Sequence, residues 1–207
     1  MANPPEIRKL LALQHNCTRG GQIMEAVLES AVRMRVDLVL IQEPRGEREK
    51  DSTRSHPSFT FIRGEEGEPA KCWIAVNRES CCRVTEMKDM MRNCRNYVQV
   101  IEITPPGTPT ITIANVYDQW RDVGRPAQHA DWGAIAKSAR VIIAGDMNAH
   151  STVWNGRVTG WKNAIFWEKL IEEEVLVMWN TEQATRLGGP NHSIIDLTLS
   201  SPNVELN

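Results

Sequence analysis

The chain has few cysteines and lacks the spacings that cysteine-based sites require. Its 207 residues include an odd number of them: Cys17, Cys72, Cys81, Cys82 and Cys94. Zinc sites commonly use cysteines paired as C-x-x-C, a spacing that does not occur here, and disulfide frameworks commonly use an even number of cysteines. We therefore expect reduced thiols, no zinc site, and an intracellular protein of the cytoplasm, the nucleus or both.

Long apolar runs and a strong net charge are also missing. No stretch approaches the roughly 20 apolar residues that span a membrane, and residues 1–6 lack the basic and apolar regions of a secretory signal. The sequence therefore predicts no membrane partner. Because the formal net charge is only -2, a nucleic-acid partner would have to bind a local basic patch.

Linkers, repeats and low-complexity tracts are absent as well, so we expect one domain spanning residues 1–207. Short apolar runs bounded by turn residues predict about ten strands. Helices are predicted near residues 127–138 and 163–174, and from Gly21 to Val36. The apolar residues of that first helix recur at spacings of three and four: Ile23, Val27, Ala31 and Met34. This pattern is typical of a four-layer α/β sandwich, in which two packed mixed sheets have helices outside.

One stretch combines a buried strand with polar side chains at its end. Residues Val141 to Ala144 are apolar, and Gly145, Asp146 and Asn148 follow. Residues i and i+2 of an extended chain point to the same side, so Asp146 and Asn148 can project together. A carboxylate and an amide in one space can orient a water or hold a phosphate or a hard cation. An Asx-rich turn explains the same residues equally well.

Polar residues lie at or near other predicted strand ends. Asn16 follows the strand at residues 8–15, Glu43 follows Leu38 to Ile41, and Tyr117 ends the strand that begins at Thr110. Ligands commonly bind beyond the strand ends of open α/β sheets. Taken singly, Asn16 is explained as a turn residue and Glu43 as an exposed loop acid.

The last predicted strand, Ser193 to Ser200, contains an acid. Alternation places Asp196 on one face with Ile194 and Thr198, and places the other apolar residues opposite: Ile195, Leu197 and Leu199. An acid on a core strand is costly unless it is paired or bound to a metal. Asp196 is therefore a further candidate for the site.

In order and spacing, these pieces resemble the endonuclease/exonuclease/phosphatase superfamily, which has the DNase-I-like fold. The matching segments are Leu13–Asn16, Ile41–Pro44, Asn115–Tyr117, Gly145–Ser151 and Ser193–Thr198. Within the superfamily, the chain is most similar to the apurinic-type endonuclease domain of non-LTR (LINE-type) retrotransposons. Three details carry that likeness: Pro44 after the glutamate, Trp154 soon after Asn-Ala-His-Ser, and Ala184-Thr185-Arg186 ahead of the last segment.

The resemblance implies a DNA endonuclease that depends on Mg²⁺, with Mn²⁺ as a possible substitute, and that leaves a 3′-hydroxyl. It implies that Glu43 holds the cation with help from Asn16. Asp146 would orient or deprotonate the attacking water, while Asn148 and Tyr117 would contact the scissile phosphate. Mg²⁺ often takes only one or two protein carboxylates, which agrees with one firm glutamate and a weaker amide.

The remaining roles concern substrate contacts and the histidine of the family. Asp196 matches the acid that fixes the catalytic histidine. We expect four residues near the motif strands to contact substrate: Arg45, Arg121, Thr185 and Ser193. A reverse transcriptase domain is expected downstream in the full polypeptide.

The chain departs from the family at its end. The closing Ser-Asp-His is missing after Ser201, and His15, His56, His129, His150 and His192 do not stand in its place. The domain is therefore expected to be truncated and to lack its final strand, as a fragment of a longer reading frame or a decayed copy would. The sheet edge left open would favour oligomerisation.

Two other functions remain open from the sequence. One is a phosphatase or phosphodiesterase of the same fold that acts on small molecules. The other is a catalytically impaired remnant that only binds nucleic acid or a partner, for which the missing histidine motif is the main support.

Overall fold

A computed structural model describes residues 9–44, 55–64, 69–119, 124–155, 162–181, 183–186 and 193–206. Within these ranges ten strands form two mixed sheets. The ten strands predicted from the sequence are thereby confirmed. No helix in these ranges is both long and apolar enough to cross a membrane. All five cysteines are free thiols.

The smaller sheet contains β1 (Ala12–Asn16), β2 (Leu38–Gln42), β3 (Phe59–Ile62) and β4 (Cys72–Asn77). Its order is β1-β2-β4-β3, where β1 runs parallel to β2 and the other neighbours are antiparallel. Every residue of β2 is buried, as its continuous apolar run predicts for a central strand. Within the described ranges β1 is an edge strand, and oligomerisation through such an edge stays a prediction.

The larger sheet has six strands in the order β5-β6-β7-β8-β10-β9. Their bounds are β5 Arg83–Glu86, β6 Val98–Thr104, β7 Ile111–Tyr117, β8 Val141–Asp146, β9 Val177–Met178 and β10 Asp196–Ser200. Only β7 and β8 are parallel. A parallel pair needs a crossover, and residues 118–140 supply it.

Five α-helices lie within the described ranges: α1 Gly21–Arg33, α2 Lys88–Met91, α3 Trp132–Ala136, α4 Thr152–Asn155 and α5 Lys162–Glu173. Two short 3-10 helices occur at Arg92–Cys94 and Pro126–His129. The helices predicted near residues 21–36 and 163–174 are confirmed by α1 and α5.

Three apolar clusters define the layers. One joins the facing sides of the two sheets and includes Leu38, Leu40, Ile101 and Ile113. A second packs α1 against the outer face of the smaller sheet. A third packs α3 and α5 against the outer face of the larger sheet. The predicted four-layer α/β sandwich is therefore confirmed.

The apolar face of α1 differs from the predicted one. Its fully buried residues are Met24, Leu28 and Ala31, which follow one another at spacings of four and three. Ile23 and Met34 are 42% and 51% exposed. The predicted buried face of α1 was therefore wrong by part of a helical turn, because the side chains of Met24 and Leu28 pack against the sheet.

Two other predictions were wrong in detail. The helix expected at 127–138 is split, because the Asp131 carboxylate accepts a hydrogen bond from the Ala134 N–H at 3.1 Å and starts a new helix. The last strand begins only at Asp196. Ile194 therefore escapes the predicted alternation and packs in the same cluster as Leu197 and Leu199.

Gly145 allows β8 to lie close to its parallel neighbour β7. Its φ is +151°, and a Cβ added there would lie 2.0 Å from the Val116 carbonyl oxygen. An alanine at position 145 would be strained at this φ and would clash with Val116 unless the backbone moved.

We expect Gly145→Ala to lower the free energy of unfolding by about 2–5 kcal/mol, through backbone strain and overpacking. Gly133→Ala is the matched control, because a Cβ added at Gly133 would lie 3.9 Å from the nearest neighbouring atom. The control should change stability by no more than about 1 kcal/mol. Urea denaturation of the three proteins measures both effects, and equal midpoints for Gly145→Ala and the wild type would contradict the account.

Candidate active site

The polar strand ends of the larger sheet lie side by side. In the register of β7, β8 and β10, Asp146 is the partner of Tyr117 on one side and of Asp196 on the other. In the smaller sheet, Asn16 pairs with Gln42, the residue before Glu43. The two sheets therefore end together, and each contributes part of one polar site.

Each carboxylate of this site receives a hydrogen bond from the opposite sheet. The Asn16 Nδ2 donates to Asp146 Oδ2 at 2.8 Å, and the Tyr117 hydroxyl donates to Glu43 Oε1 at 2.7 Å. A longer contact of 3.4 Å joins Gln14 Nε2 to Asp196 Oδ1. The structure thus brings together five of the residues proposed from the sequence, across the interface of the sheets.

The turn after β8 agrees with both interpretations of the stretch around Asp146, a structural Asx turn and a pair of polar side chains that can bind another group. The Asn148 N–H donates to Asp146 Oδ1 at 2.9 Å, which makes an Asx turn, and Asn148 has a φ of +43°. Within the described ranges, the Asn148 side chain has no hydrogen-bond partner. It is therefore free to contact another group, while its backbone orients the Asp146 carboxylate.

Burial raises the pKa values of the two site aspartates, Asp146 and Asp196. Asp146 is only 3% exposed, and burial raises its pKa to about 7, with further increases from the nearby charges of Asp196 and Glu43. Burial also raises the pKa of Asp196, against opposing effects of Thr185, His15 and Gln14. The ionised forms of these acids are therefore poorly stabilised by the protein alone.

Tyr117 remains protonated in this environment. Burial raises the pKa of its hydroxyl well above the usual range, and the hydrogen bond to Glu43 and the charge of Glu43 raise it further. The hydroxyl therefore stays a hydrogen-bond donor at neutral pH and does not act as a base.

Glu43 has the oxygen atoms best placed to hold a cation. Its backbone is fixed by hydrogen bonds to Lys71 and Arg19, and its φ is +45°. Oε1 accepts from Tyr117 and lies 3.8 Å from Arg19 Nε, while Oε2 has no hydrogen-bond partner within the described ranges. Three or more His, Cys, Asp or Glu side chains do not converge on a metal position in the part of the chain described.

That donor set fits a cation that keeps most of its water. Mg²⁺ commonly uses one or two protein carboxylates and fills its other positions with water or substrate phosphate. The amide of Asn16 is engaged at both ends, since its Oδ1 accepts from the Thr18 N–H at 2.8 Å. Asn16 as a ligand, through the second lone pair of that oxygen, stays a prediction.

The strand that carries Asp196 is held by side chains from its flanks. Thr185 Oγ1 accepts from the N–H groups of Ile195 and Asp196, at 3.0 and 3.1 Å. The Asn180 amide pairs with the backbone of Asp196 and Thr198. Ser193 is only 4% exposed and pairs with Arg186 through its backbone. These contacts position Asp196, and substrate contacts by Thr185 and Ser193 stay predictions.

Two expected substrate residues, Arg45 and Arg121, lie outside the described residues.

The histidine nearest the turn after β8, His150, lies in a loop as expected. Its pKa is lowered, mainly by burial and then by the charge of Arg186. It is therefore neutral at pH 7.

Sequence reasoning missed the residue that joins the sheets beneath the site. Asn115 is fully buried, and its Nδ2 donates to the carbonyl oxygens of Ile41 at 3.1 Å and Trp73 at 2.8 Å. Gln42 Nε2 donates to its Oδ1. The signal was present, because Asn115 follows Ile113 and precedes Tyr117 on one face of an apolar strand.

The raised pKa of Asp146 predicts a pH-dependent cost to stability. Its folded pKa, about 7, lies above the ordinary value of 3.8, so the folded state binds more protons between these values. Stability from this group is present below pH 4 and is lost as pH rises through 7. In EDTA, the melting temperature of Asp146→Asn relative to wild type should increase from pH 5 to pH 8. Asp89→Asn, at an exposed acid of α2, controls for loss of one charge, and a difference independent of pH would contradict the assignment.

Comparisons with known proteins agree on the fold. Residues 111–207 match the family model described as endonuclease-reverse transcriptase. No match was found among curated protein sequences. Among solved structures, the endonuclease domain of TRAS1, a telomere-specific non-LTR retrotransposon, superposes with a TM-score of 0.72. It is 19% identical, and the match covers 91% of this chain and 82% of that chain.

Two further structures have the same architecture. The AP endonuclease LMAP from Leishmania major matches with a TM-score of 0.62 and 11% identity, over 92% of this chain and 78% of its own. A humanized D. rerio TDP2 matches with a TM-score of 0.57 and 11% identity, over 95% and 85%. The chain therefore has the DNase-I-like fold, and its residues 111–207 match the endonuclease-reverse transcriptase family, which confirms the resemblance seen in its sequence.

Proposed function

We propose that this protein is a metal-dependent phosphodiester hydrolase that nicks DNA, as the endonuclease domain of a retrotransposon-type polyprotein. The observation that carries the proposal is the convergence of Glu43, Asp146 and Asp196 with Tyr117 at one end of the sandwich. Hydrolysis of a phosphodiester needs an oriented water, a neutralised phosphate and a stabilised leaving oxygen. This set of side chains has the groups for each task.

Asp146 is the residue best suited to the water. Its pKa of about 7 matches the operating pH of a general base. Asn16 and the Asn148 N–H hold its two oxygens, so the carboxylate is oriented before substrate arrives. Acid–base help of this kind commonly contributes about 10²–10⁴ in rate.

The phosphate would be bound by neutral donors. The Asn148 amide has no partner within the described ranges, and the Tyr117 hydroxyl remains protonated. The Asn148 amide could donate to an anion as it stands, and the Tyr117 hydroxyl could do so in place of its hydrogen bond to Glu43. Neither donor would add charge to the crowded carboxylates. Asp196 lies beside Asp146 in the register, where it would orient a further group that acts on the leaving oxygen.

Glu43, with Asn16 beside it, would hold the cation, which we propose is Mg²⁺ or Mn²⁺. When bound, the cation neutralises charge on the phosphate and stabilises the leaving oxygen. The related structures support a nucleic-acid substrate, since one of them is TDP2 complexed with single strand DNA product. A reverse transcriptase partner domain is part of the same proposal, supported by the family description.

Conversion of supercoiled plasmid to the nicked form tests the activity. The wild type should nick in Mg²⁺ and not in EDTA, and the nicks should serve directly as primers for a DNA polymerase because they end in a 3′-hydroxyl. Asp146→Asn should lower the rate by at least about 10², since an amide cannot act as the base. Asp89→Asn should nick at the wild-type rate. Nicking by Asp146→Asn near the wild-type rate would remove Asp146 from the mechanism.

Glu43→Gln should act mainly through the cation. The amide keeps the shape of the side chain and loses the charge that attracts Mg²⁺, so the Mg²⁺ concentration for half-maximal nicking should increase roughly tenfold or more. Glu25→Gln, at an exposed position of α1, is the control. An unchanged Mg²⁺ titration for Glu43→Gln would show that Glu43 is not the ligand.

A further inference from the structure

Arg19 lies in a tight turn against Glu43. The Asn16 Oδ1 accepts from the Thr18 N–H, the Gly20 N–H donates to the Cys17 carbonyl oxygen, and the Arg19 N–H donates to the Glu43 carbonyl oxygen, each at 2.8 Å. Thr18 and Arg19 both have positive φ, +47° and +58°. Such conformations persist in non-glycine residues only where the surroundings fix them. The turn therefore holds Arg19 at a defined place beside the site.

The Arg19 guanidinium is the positive charge beside Glu43. Its Nε lies 3.8 Å from Glu43 Oε1, the oxygen that also accepts from Tyr117. Within the described ranges, no other lysine or arginine forms an ion pair with Glu43, Asp146 or Asp196. The Arg19 side chain is 58% exposed, whereas that of Glu43 is 19% exposed. The pair is therefore weak and accessible, and a competing cation can break it.

Helix stability does not explain an arginine at this position. Arg19 precedes Gly20, the N-cap of α1, and the first turn of that helix contains no acid. A positive charge at a helix N-terminus is unfavourable, because the macrodipole is positive there. An anion in the same place would be favoured by both the helix and the guanidinium.

We propose that Arg19 is a two-position residue that pairs with Glu43 before a cation binds and contacts a phosphate of the DNA strand afterwards. The inference rests on the proposed function of the same site. When a divalent cation occupies Glu43, the guanidinium loses its partner and is repelled, and the phosphate becomes the anion within its reach. Cation binding thus frees the Arg19 guanidinium, which is paired with Glu43 in the free protein, to contact a phosphate.

Two binding measurements, neither of which requires turnover, test the proposal. All proteins carry Asp146→Asn so that the DNA stays intact. Titration calorimetry measures Mn²⁺ binding to the free protein, and a duplex oligonucleotide titrated at several salt concentrations in Mg²⁺ measures DNA binding. Arg19→Gln is compared with Arg19→Lys and with Arg35→Gln. Arg35 is the matched control, because it is exposed, has a φ of +54° and lies beyond the opposite end of α1.

In Arg19→Gln, Mn²⁺ should bind roughly three- to tenfold more tightly, because a competing positive charge is gone. The slope of log Kobs against log salt should become shallower by about 0.9, the value for one lost phosphate contact. Arg19→Lys should keep the wild-type slope, and Arg35→Gln should change neither quantity.

The outcomes separate this inference from the proposed function. Suppose that Glu43→Gln abolishes Mn²⁺ binding. If Arg19→Gln then leaves the Mn²⁺ affinity, the salt slope of DNA binding, or both, no more changed than Arg35→Gln does, the role of Arg19 is overturned while the cation site stands. If Glu43→Gln binds Mn²⁺ as tightly as the parent protein, both the cation site and the role of Arg19 are overturned. Tighter Mn²⁺ binding together with the shallower salt slope supports the proposal.

Discussion

The geometry of the site depends on one buried amide that joins the two sheets. Asn115 of β7 donates to carbonyl oxygens of β2 and β4 and accepts from Gln42. A buried amide left without partners costs about 1–3 kcal/mol, so these contacts fix how the sheets meet. Glu43 directly follows Gln42, and Tyr117 lies two residues after Asn115. The 2.7 Å hydrogen bond between Tyr117 and Glu43 is therefore set by a contact inside the core.

The same arrangement concentrates negative charge where the protein offers little compensation. Asp146 is buried beside Asp196 and near Glu43, and its pKa is about 7 as a result. The side chains of Asn16 and Gln14 reach these acids from the other sheet, but they are neutral. Such a cluster of acids costs stability. In the function proposed here, the same cluster is complementary to a cation and to a reaction that uses a general base, a trade of stability for activity that is common at active sites.

Local patterns predicted the strands and the residues at their ends, and long-range packing decided the rest. Apolar runs followed by polar residues identified Glu43 and Asp146, because strand periodicity and turn chemistry are local. The Asn115 contact needs two sheets to face each other, and the pKa of Asp146 needs the burial that this produces. The proximity of Arg19 to Glu43 depends on positive φ angles at Thr18 and Arg19, which those residue types do not predict. The face of α1 was misjudged because two apolar stripes overlap in its sequence.

The position of the cation is the most direct test of a site assembled from both sheets. Crystals grown with Mn²⁺ and a short DNA duplex, in the Asp146→Asn variant, would locate the metal by its anomalous scattering. We expect a peak in contact with Glu43, at the end of the sandwich where β2 and β7 meet, with a phosphate beside Asn148 and Tyr117. A peak elsewhere, with Glu43 still bonded only to Tyr117 and Arg19, would contradict it.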